Sequence, residues 1–379
     1  DWYRYLWDGA MVNAGVNPYS FPPADVFPLT PLSEAPPLDH PRADDILAVA
    51  SQNDHYPERV AYPNLSTIYP PVAQMFFAIA QKVRPFDLDG WRAVLLGVDT
   101  LGVAVLLALL VHWRRSPFWA LLYWWNPLLA VSAFNAGHMD ILLTPFIAGA
   151  MLLTALNKPR IAAAALAGAA GVKFWPAMLA PILFRRWRRD PKTLAEIAGV
   201  FIAALIVVLG PMIAGLEPRT SGLAAYANDW LRNAFLFPLM TAVFETFSVD
   251  GDLYARGAVA MITLVVIAYY ALAWRWRVKE PPADVSVARH MLIATAVLFF
   301  LSPTGYAWYA AWLFLFLPFA PFFGVGVLTL CLPIYYLRFY FENAGRGDIF
   351  NTYLTPIEFG APLAIIAWTA YRGIRRKTP

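Results

Sequence analysis

Apolar residues run in long blocks along this chain, and the breaks between the blocks are short and mostly basic. The blocks fall at residues 91–113, 117–136, 139–156, 161–184, 194–215, 254–276, 287–301, 308–320, 322–340 and 354–372. Several approach the ~20 residues that a helix needs to cross a bilayer. They are continuous rather than alternating, which argues against a β-barrel. The pattern predicts an all-α polytopic membrane protein. No block occurs before residue 90, and residues 1–68 hold many prolines. An ordered loop of that length tends to carry function. The expected organisation is an external acidic and aromatic segment at 1–90 with juxtamembrane helices. A transmembrane bundle at 91–379 follows it, with a further external loop at 216–253.

The basic breaks orient the bundle, because short cytoplasmic loops carry the excess of Lys and Arg. Arg114-Arg115, Lys158 to Arg160, Arg185 to Lys192, Arg275 to Lys279 and Arg372 to Lys377 are all placed in the cytoplasm. Two segments resist a simple crossing. Tyr69 to Val83 is short, and if it crossed, Arg114-Arg115 would lie outside. It is expected to be an interfacial or re-entrant helix on the external side, started by Pro70-Pro71. Ile161 to Phe184 has basic loops at both ends and GVKFWP at its middle. Gly and Pro break helices, and broken backbone at membrane depth is tolerated where it lines a cavity. Two half-helices meeting near Lys173 are expected; one kinked helix is the alternative. Residues 1–90, Asn135 to Asp140, 216–253, Leu301 to Tyr309 and 342–353 then share the external side.

Composition agrees. Of 379 residues, 59% are hydrophobic and only 14% are charged, against roughly 25% in soluble domains. Mean hydropathy is +0.52. The net charge of +4 sits in the loop clusters, so it reads as membrane orientation and not as nucleic-acid binding. A single cysteine, Cys331, excludes an intrachain disulfide. The chain opens abruptly on a polar loop, from which a membrane helix preceding Asp1 is expected. There is no Walker A loop, no G-x-G-x-x-G unit, no H-E-x-x-H and no G-x-S-x-G. Without a nucleotide-binding domain, the expected substrate is one already carried in the membrane.

The opening DWYRYLWDG is the densest polar and aromatic cluster. Asp1 at the membrane surface suits a general base or a metal ligand, or a solvated helix-end acid. Arg4 and Asp8 follow at i+3 and i+7, so a helix puts all three on one face. Tyr5 and Trp7 offer surface for stacking on sugars, or an interfacial belt. Asn17-Pro18-Tyr19 reads as a turn. His138 and Asp140 sit in a tight turn after Asn135, suited to a cation, to a substrate hydroxyl, or to turn formation alone. Lys173 is centred in an apolar segment, and intramembrane charges usually face a cavity and have a partner. A lipid phosphate and Asp99 are its candidate partners. Tyr306, Trp308, Tyr309 and Trp312 enter a helix from outside and suit a groove or an anchor. Tyr226 to Phe237 looks like an amphipathic surface helix.

Taken in order, DWYRYLWDG with GVNPY, TIYPPVAQ (Thr67 to Gln74), NAGHMD, GVKFWP and LSPTGYAWYAAW resemble the GT-C glycosyltransferases. The nearest branch is the bacterial mannosyltransferase-like one, which uses polyprenyl-phosphate-linked sugars. The resemblance covers nearly the whole chain. It implies a GT-C-like helical bundle with a long first external loop, and Asp1 as the catalytic carboxylate in the pattern D-x-x-R-Y. The residues expected to bind substrate are Arg4, Tyr5, Trp7, Asp8, Asn17, Tyr69, Gln74, His138, Asp140, Lys173, Tyr306, Trp308 and Tyr309. The implied partners are a polyprenyl-phosphate sugar donor, a glycolipid or polysaccharide acceptor and the bilayer. The implied location is a bacterial inner or plasma membrane with the site facing outside. The expected activity is inverting transfer of a sugar, mannose being favoured. No cofactor is assigned; Asp1, His138 and Asp140 are the candidates for a divalent cation. A transporter or flippase of a lipid-linked sugar is the alternative.

Overall fold

The computed structural model describes residues 1–26, 38, 40–53, 56, 59–217, 220–273 and 283–375, without the side chains of 273, 283–284 and 373–375. The basic cluster Arg275 to Lys279 and the end of the cluster at Arg372 to Lys377 lie outside the described residues. Among those described, the chain is helical throughout, and the strand-like feature is one isolated bridge between Arg232 and Thr304. The longer helices are α1 (Trp2–Asn13), α2 (Ala43–Ala50), α3 (Pro71–Val83), α4 (Leu88–His112), α5 (Leu143–Ala155), α6 (Pro159–Ala170), α7 (Pro191–Gly215), α8 (Leu236–Glu245), α9 (Gly251–Ala268), α10 (Ala283–Leu301) and α11 (Thr355–Arg375).

Four helical stretches are long and apolar enough to cross a membrane: Leu88–His112, Pro191–Gly215, Gly251–Leu272 and Phe323–Asn343. Pro127–Asn135 and Met139–Ala155 pass the same test together, bent by 104° at the break between them. The chain is an integral, polytopic helical membrane protein. The start of α7 is capped by its own sequence. Asp190 accepts from the Thr193 backbone N–H at 3.1 Å and its hydroxyl at 2.6 Å, with Pro191 at the first helical position.

The chain divides into two compact units. The first comprises Asp1–Gly102, Ala133–Ala177 and Arg189–Asp229. Its centre is the packing of α1 on α3. At Gly9 an added Cβ would lie 2.4 Å from the backbone of Phe77, so only glycine lets the helices approach this closely. Tyr5 stacks on Phe77 at 4.6 Å, and Trp91 meets both rings edge-on. Gln81 donates to the Leu6 carbonyl and Asn13 to the Ala78 carbonyl. The opposite face of α3 exposes Met75, Ile79 and Val83, an apolar stripe at i, i+4 and i+8 that suits a helix lying against lipid.

The chain breaks where GVKFWP predicts. α6 ends at Ala170, and helical structure resumes as a 3₁₀ turn at Trp175. The freed carbonyl of Gly171 accepts from the Val72 and Ala73 N–H groups, at 2.9 and 3.2 Å. The orphan donors of the first turn of α3 and the broken backbone satisfy each other.

The second unit comprises Val103–Ser132, Met178–Arg188 and Trp230–Pro379. The segment Tyr226 to Phe237 is not the single amphipathic helix that its pattern suggests. A short helix ends at Asn228 and α8 begins at Leu236. In the second unit Arg232 N donates to Pro303 O, Gly305 N to Arg232 O, and Asn233 Nδ2 to Gly305 O. These longer-range bonds displace the helical ladder.

Candidate active site

α1 opens the site. The Asp1 carbonyl accepts from the N–H groups of Arg4 and Tyr5 and starts the helix. Its carboxylate makes no capping bond. Instead Oδ2 lies 3.3 Å from Nδ1 of His138. The Asp1 side chain is 26% exposed and that of His138 9%. The Asp1 side chain is therefore part open, while the imidazole beside it is buried.

His138 belongs to the turn Asn135 to Asp140, and α4 holds that turn in place. Trp91 Nε1 donates to the Gly137 carbonyl at 2.7 Å. Arg92 donates to the carbonyls of Phe134 and Asn135 at 2.6 and 2.9 Å. Gly137 has φ +72°, and a Cβ there would meet Leu88, Trp2 and Trp91 within 3.2–3.4 Å. Both backbone conformation and space call for glycine. Burial holds the His138 imidazole far below its ordinary range, to about 3, against the opposing pull of Asp140. It is a neutral ring at pH 7.

Two residues on, Asp140 is 3% exposed and its Oδ1 lies 2.6 Å from Nζ of Lys173. Lys173, 15% exposed, sits in the break after α6. The sequence suggests a lipid phosphate or Asp99 as its partner; the structure supplies Asp140. The opening acid, the His–Met–Asp turn and the broken helix thus converge within one compact unit.

Arg4 and Asp8 turn away from this corner into a second buried network. Arg4 Nε donates to Asp8 Oδ1 at 2.8 Å, and Nη1 to the Leu65 carbonyl at 2.8 Å. Gln74 Nε2 donates to Asp8 Oδ2 at 3.2 Å and to Thr67 Oγ1 at 3.1 Å. Burial pushes the Asp8 carboxyl upward, and the Arg4 guanidinium opposes it. The Tyr19 hydroxyl donates to the Tyr69 carbonyl at 2.6 Å, and the Asn17 amide to the Pro211 carbonyl at 2.9 Å. Together these bonds fix the approach from residue 62 to α3, and they tie the turn after α1 to α7.

Tyr5 and Trp7 are 1% and 2% exposed. Tyr5 meets the Tyr69 ring edge-on at 4.9 Å. Tyr306 and Tyr309 are buried in the second unit, where Tyr306 stacks on Trp308 at 4.5 Å and Tyr309 on Trp312 at 4.2 Å. Among the described residues no group of three or more His, Cys, Asp or Glu side chains is placed to hold a metal ion. Of the suggested set Asp1, His138 and Asp140, Asp140 pairs through Oδ1 with Lys173.

Two features escape a reading of the sequence. The first is the support of the turn by Trp91 and Arg92, contacts some 42 to 46 residues apart that no local pattern announces. The second is a cavity of 440 Å³ at the far end of α1. Its walls are mainly apolar, from Val12, Val16, Val72, Met75, Val207 and Pro211, with Asn17 and Gln74 as polar members. Met75 and Val207 are also strongly exposed.

Residues 67–303 match the family model described as Glycosyltransferase family 87. No curated protein and no solved structure matches the chain.

Proposed function

Since the chain belongs to glycosyltransferase family 87, a GT-C-type family, we propose that it moves a sugar from a polyprenyl-phosphate donor to a hydroxyl acceptor at the corner formed by Asp1, His138, Asp140 and Lys173. The observation that carries this reading is the Asp1 carboxylate, part open to water and held 3.3 Å from a buried imidazole, beside a buried Lys–Asp pair.

Asp1 is the general base. It takes the proton of the acceptor hydroxyl as that oxygen bonds to the anomeric carbon. The bond from that carbon to the phosphate oxygen breaks, the phosphate leaves with the electron pair from the opposite face, and configuration inverts. Neutral His138, with Nδ1 3.3 Å from Asp1 Oδ2, packs against the carboxylate and positions it. Lys173 supplies positive charge for the departing phosphate, and Asp140 keeps its ammonium in place. Tyr5 acts through packing, against the rings of Tyr69, Phe77 and Trp91. The Arg4–Asp8–Gln74 network holds α1 at its station.

The apolar cavity at the C-terminal end of α1 gives a lipid chain a place to lie. A 12-residue helix is about 18 Å long, a span that a polyprenyl chain covers readily. Mannose is the proposed sugar and the external face the proposed side, both resting on the motif resemblance and the charge pattern of the loops.

The test is reconstitution in sealed vesicles with a polyprenyl-phosphate mannose labelled in the sugar. The reading expects label in a product whose anomeric configuration is opposite to the donor's. Movement of intact donor between leaflets, with no labelled product, would replace it with a flippase.

A further inference from the structure

The helix that presents Asp1 turns a second face outward. Trp2 and Tyr3 are both partly exposed and stack on each other at 3.8 Å. Tyr56 closes the base of the pair, 5.0 Å from Tyr3 and 6.3 Å from Trp2. Exposed Arg59 donates from Nη1 to the Tyr3 hydroxyl at 2.8 Å, and its guanidinium lies 5.6 Å from the centre of the Tyr3 ring. None of these residues lies in the segment matched by the family model.

A ring cluster that only fills a core is buried on all sides, as Tyr5, Trp7 and Phe77 are. This one keeps two rings part open at the residues directly after Asp1. The Trp2 Cβ also lies against Gly137, next to His138, so the rings start one residue from Asp1 and beside the turn that holds His138. Tyr56 adds a polar signal of its own. It is 3% exposed, and its hydroxyl has no hydrogen-bond partner among the described residues. A buried hydroxyl in that state is costly unless a ligand or water completes it. Aromatic faces beside hydrogen-bonding groups have the chemistry of a pyranose site. The C–H face of the sugar lies on the ring, and its hydroxyls meet the phenol and the guanidinium.

We propose that Trp2, Tyr3, Tyr56 and Arg59 form the acceptor subsite, and that the acceptor is a molecule presenting a neutral sugar ring. The proposal rests on the glycosyltransferase reading above and names the substrate class for its second half. The cluster holds three rings and one cation already bonded to a phenol, which favours a sugar over an anionic group.

The test uses the full chain in nanodiscs. Transfer from labelled polyprenyl-phosphate mannose is measured to octyl mannoside and, separately, to soluble mannotriose, which distinguishes a glycolipid from a polysaccharide end. Trp2→Ala and Tyr3→Leu should raise the acceptor KM about three- to tenfold with the donor KM unchanged, and Trp2→Phe should restore most of it. Arg59→Gln, at an exposed position that does not endanger folding, should raise the acceptor KM too. Unchanged acceptor KM in all three disruptive variants would overturn the subsite. Saturation-transfer NMR of mannotriose binding separates the two readings. If the wild type transfers nothing yet binds the sugar in a Trp2-dependent and Asp1-independent way, the subsite stands and the transferase assignment falls. Absence of binding in the wild type would overturn the subsite as well.

Discussion

Each of the two units buries a carboxyl group near a cation, yet only one of them carries the features of a reactive centre. In the second unit Glu358 is 0% exposed, beside Asn233 and in the field of Arg338. Arg338 is itself spent on Glu342, at 2.8 Å. In the first unit the buried Asp140–Lys173 pair adjoins a carboxylate that water reaches. The difference is access. A sealed polar group contributes to one fold, whereas a general base must touch the proton it removes.

The largest expected effect breaks that comparison at its centre. Asp1→Asn should slow transfer about 10²- to 10⁴-fold, while Glu358→Gln leaves the rate within about twofold; both are read as initial rates of label transfer. Next comes the buried pair. Lys173→Met alone strands Asp140 and should cost about 3–5 kcal/mol of stability, measured by thermal unfolding in detergent. The double variant Lys173→Met/Asp140→Leu should recover most of that stability and none of the lost transfer. Gly9→Ala pushes α1 off α3 and should cost about 1–3 kcal/mol, with a lower midpoint in the same assay.

The smallest effect is pH dependence from His138. Its folded pKa is depressed, so its contribution to stability is complete above 6.5 and is lost as pH falls toward 3. Between pH 6.5 and 5.5 the loss should be about 1 kcal/mol, and His138→Asn should remove that slope from the midpoint-versus-pH curve.

Much of this was legible in the sequence, because hydropathy and helix breakers act locally. The apolar blocks 91–113, 194–215, 254–276 and 322–340 coincide with the four helices long and apolar enough to span, Pro70-Pro71 gives the start of α3, and Gly171 to Pro176 gives the break near Lys173. Asp1, His138, Asp140 and Lys173 were each recognisable by charge or turn chemistry out of place. What they touch was not. The Lys173–Asp140 bond joins positions 33 residues apart, and the Arg4–Asp8 pair turns inward because α3 packs against that face. Tyr5 and Trp7 carry the same signal in the sequence as Trp2 and Tyr3. Burial alone separates them, and burial depends on where α3 comes to rest.

In the proposed mechanism Asp1 acts on the acceptor proton and not on donor binding. This is tested most directly by measuring both quantities on one reconstituted Asp1→Asn sample, with the lipid-linked sugar as ligand and substrate. The account predicts a donor Kd like that of the wild type and a single-turnover transfer rate at least about a hundredfold lower. Transfer at the wild-type rate would contradict it.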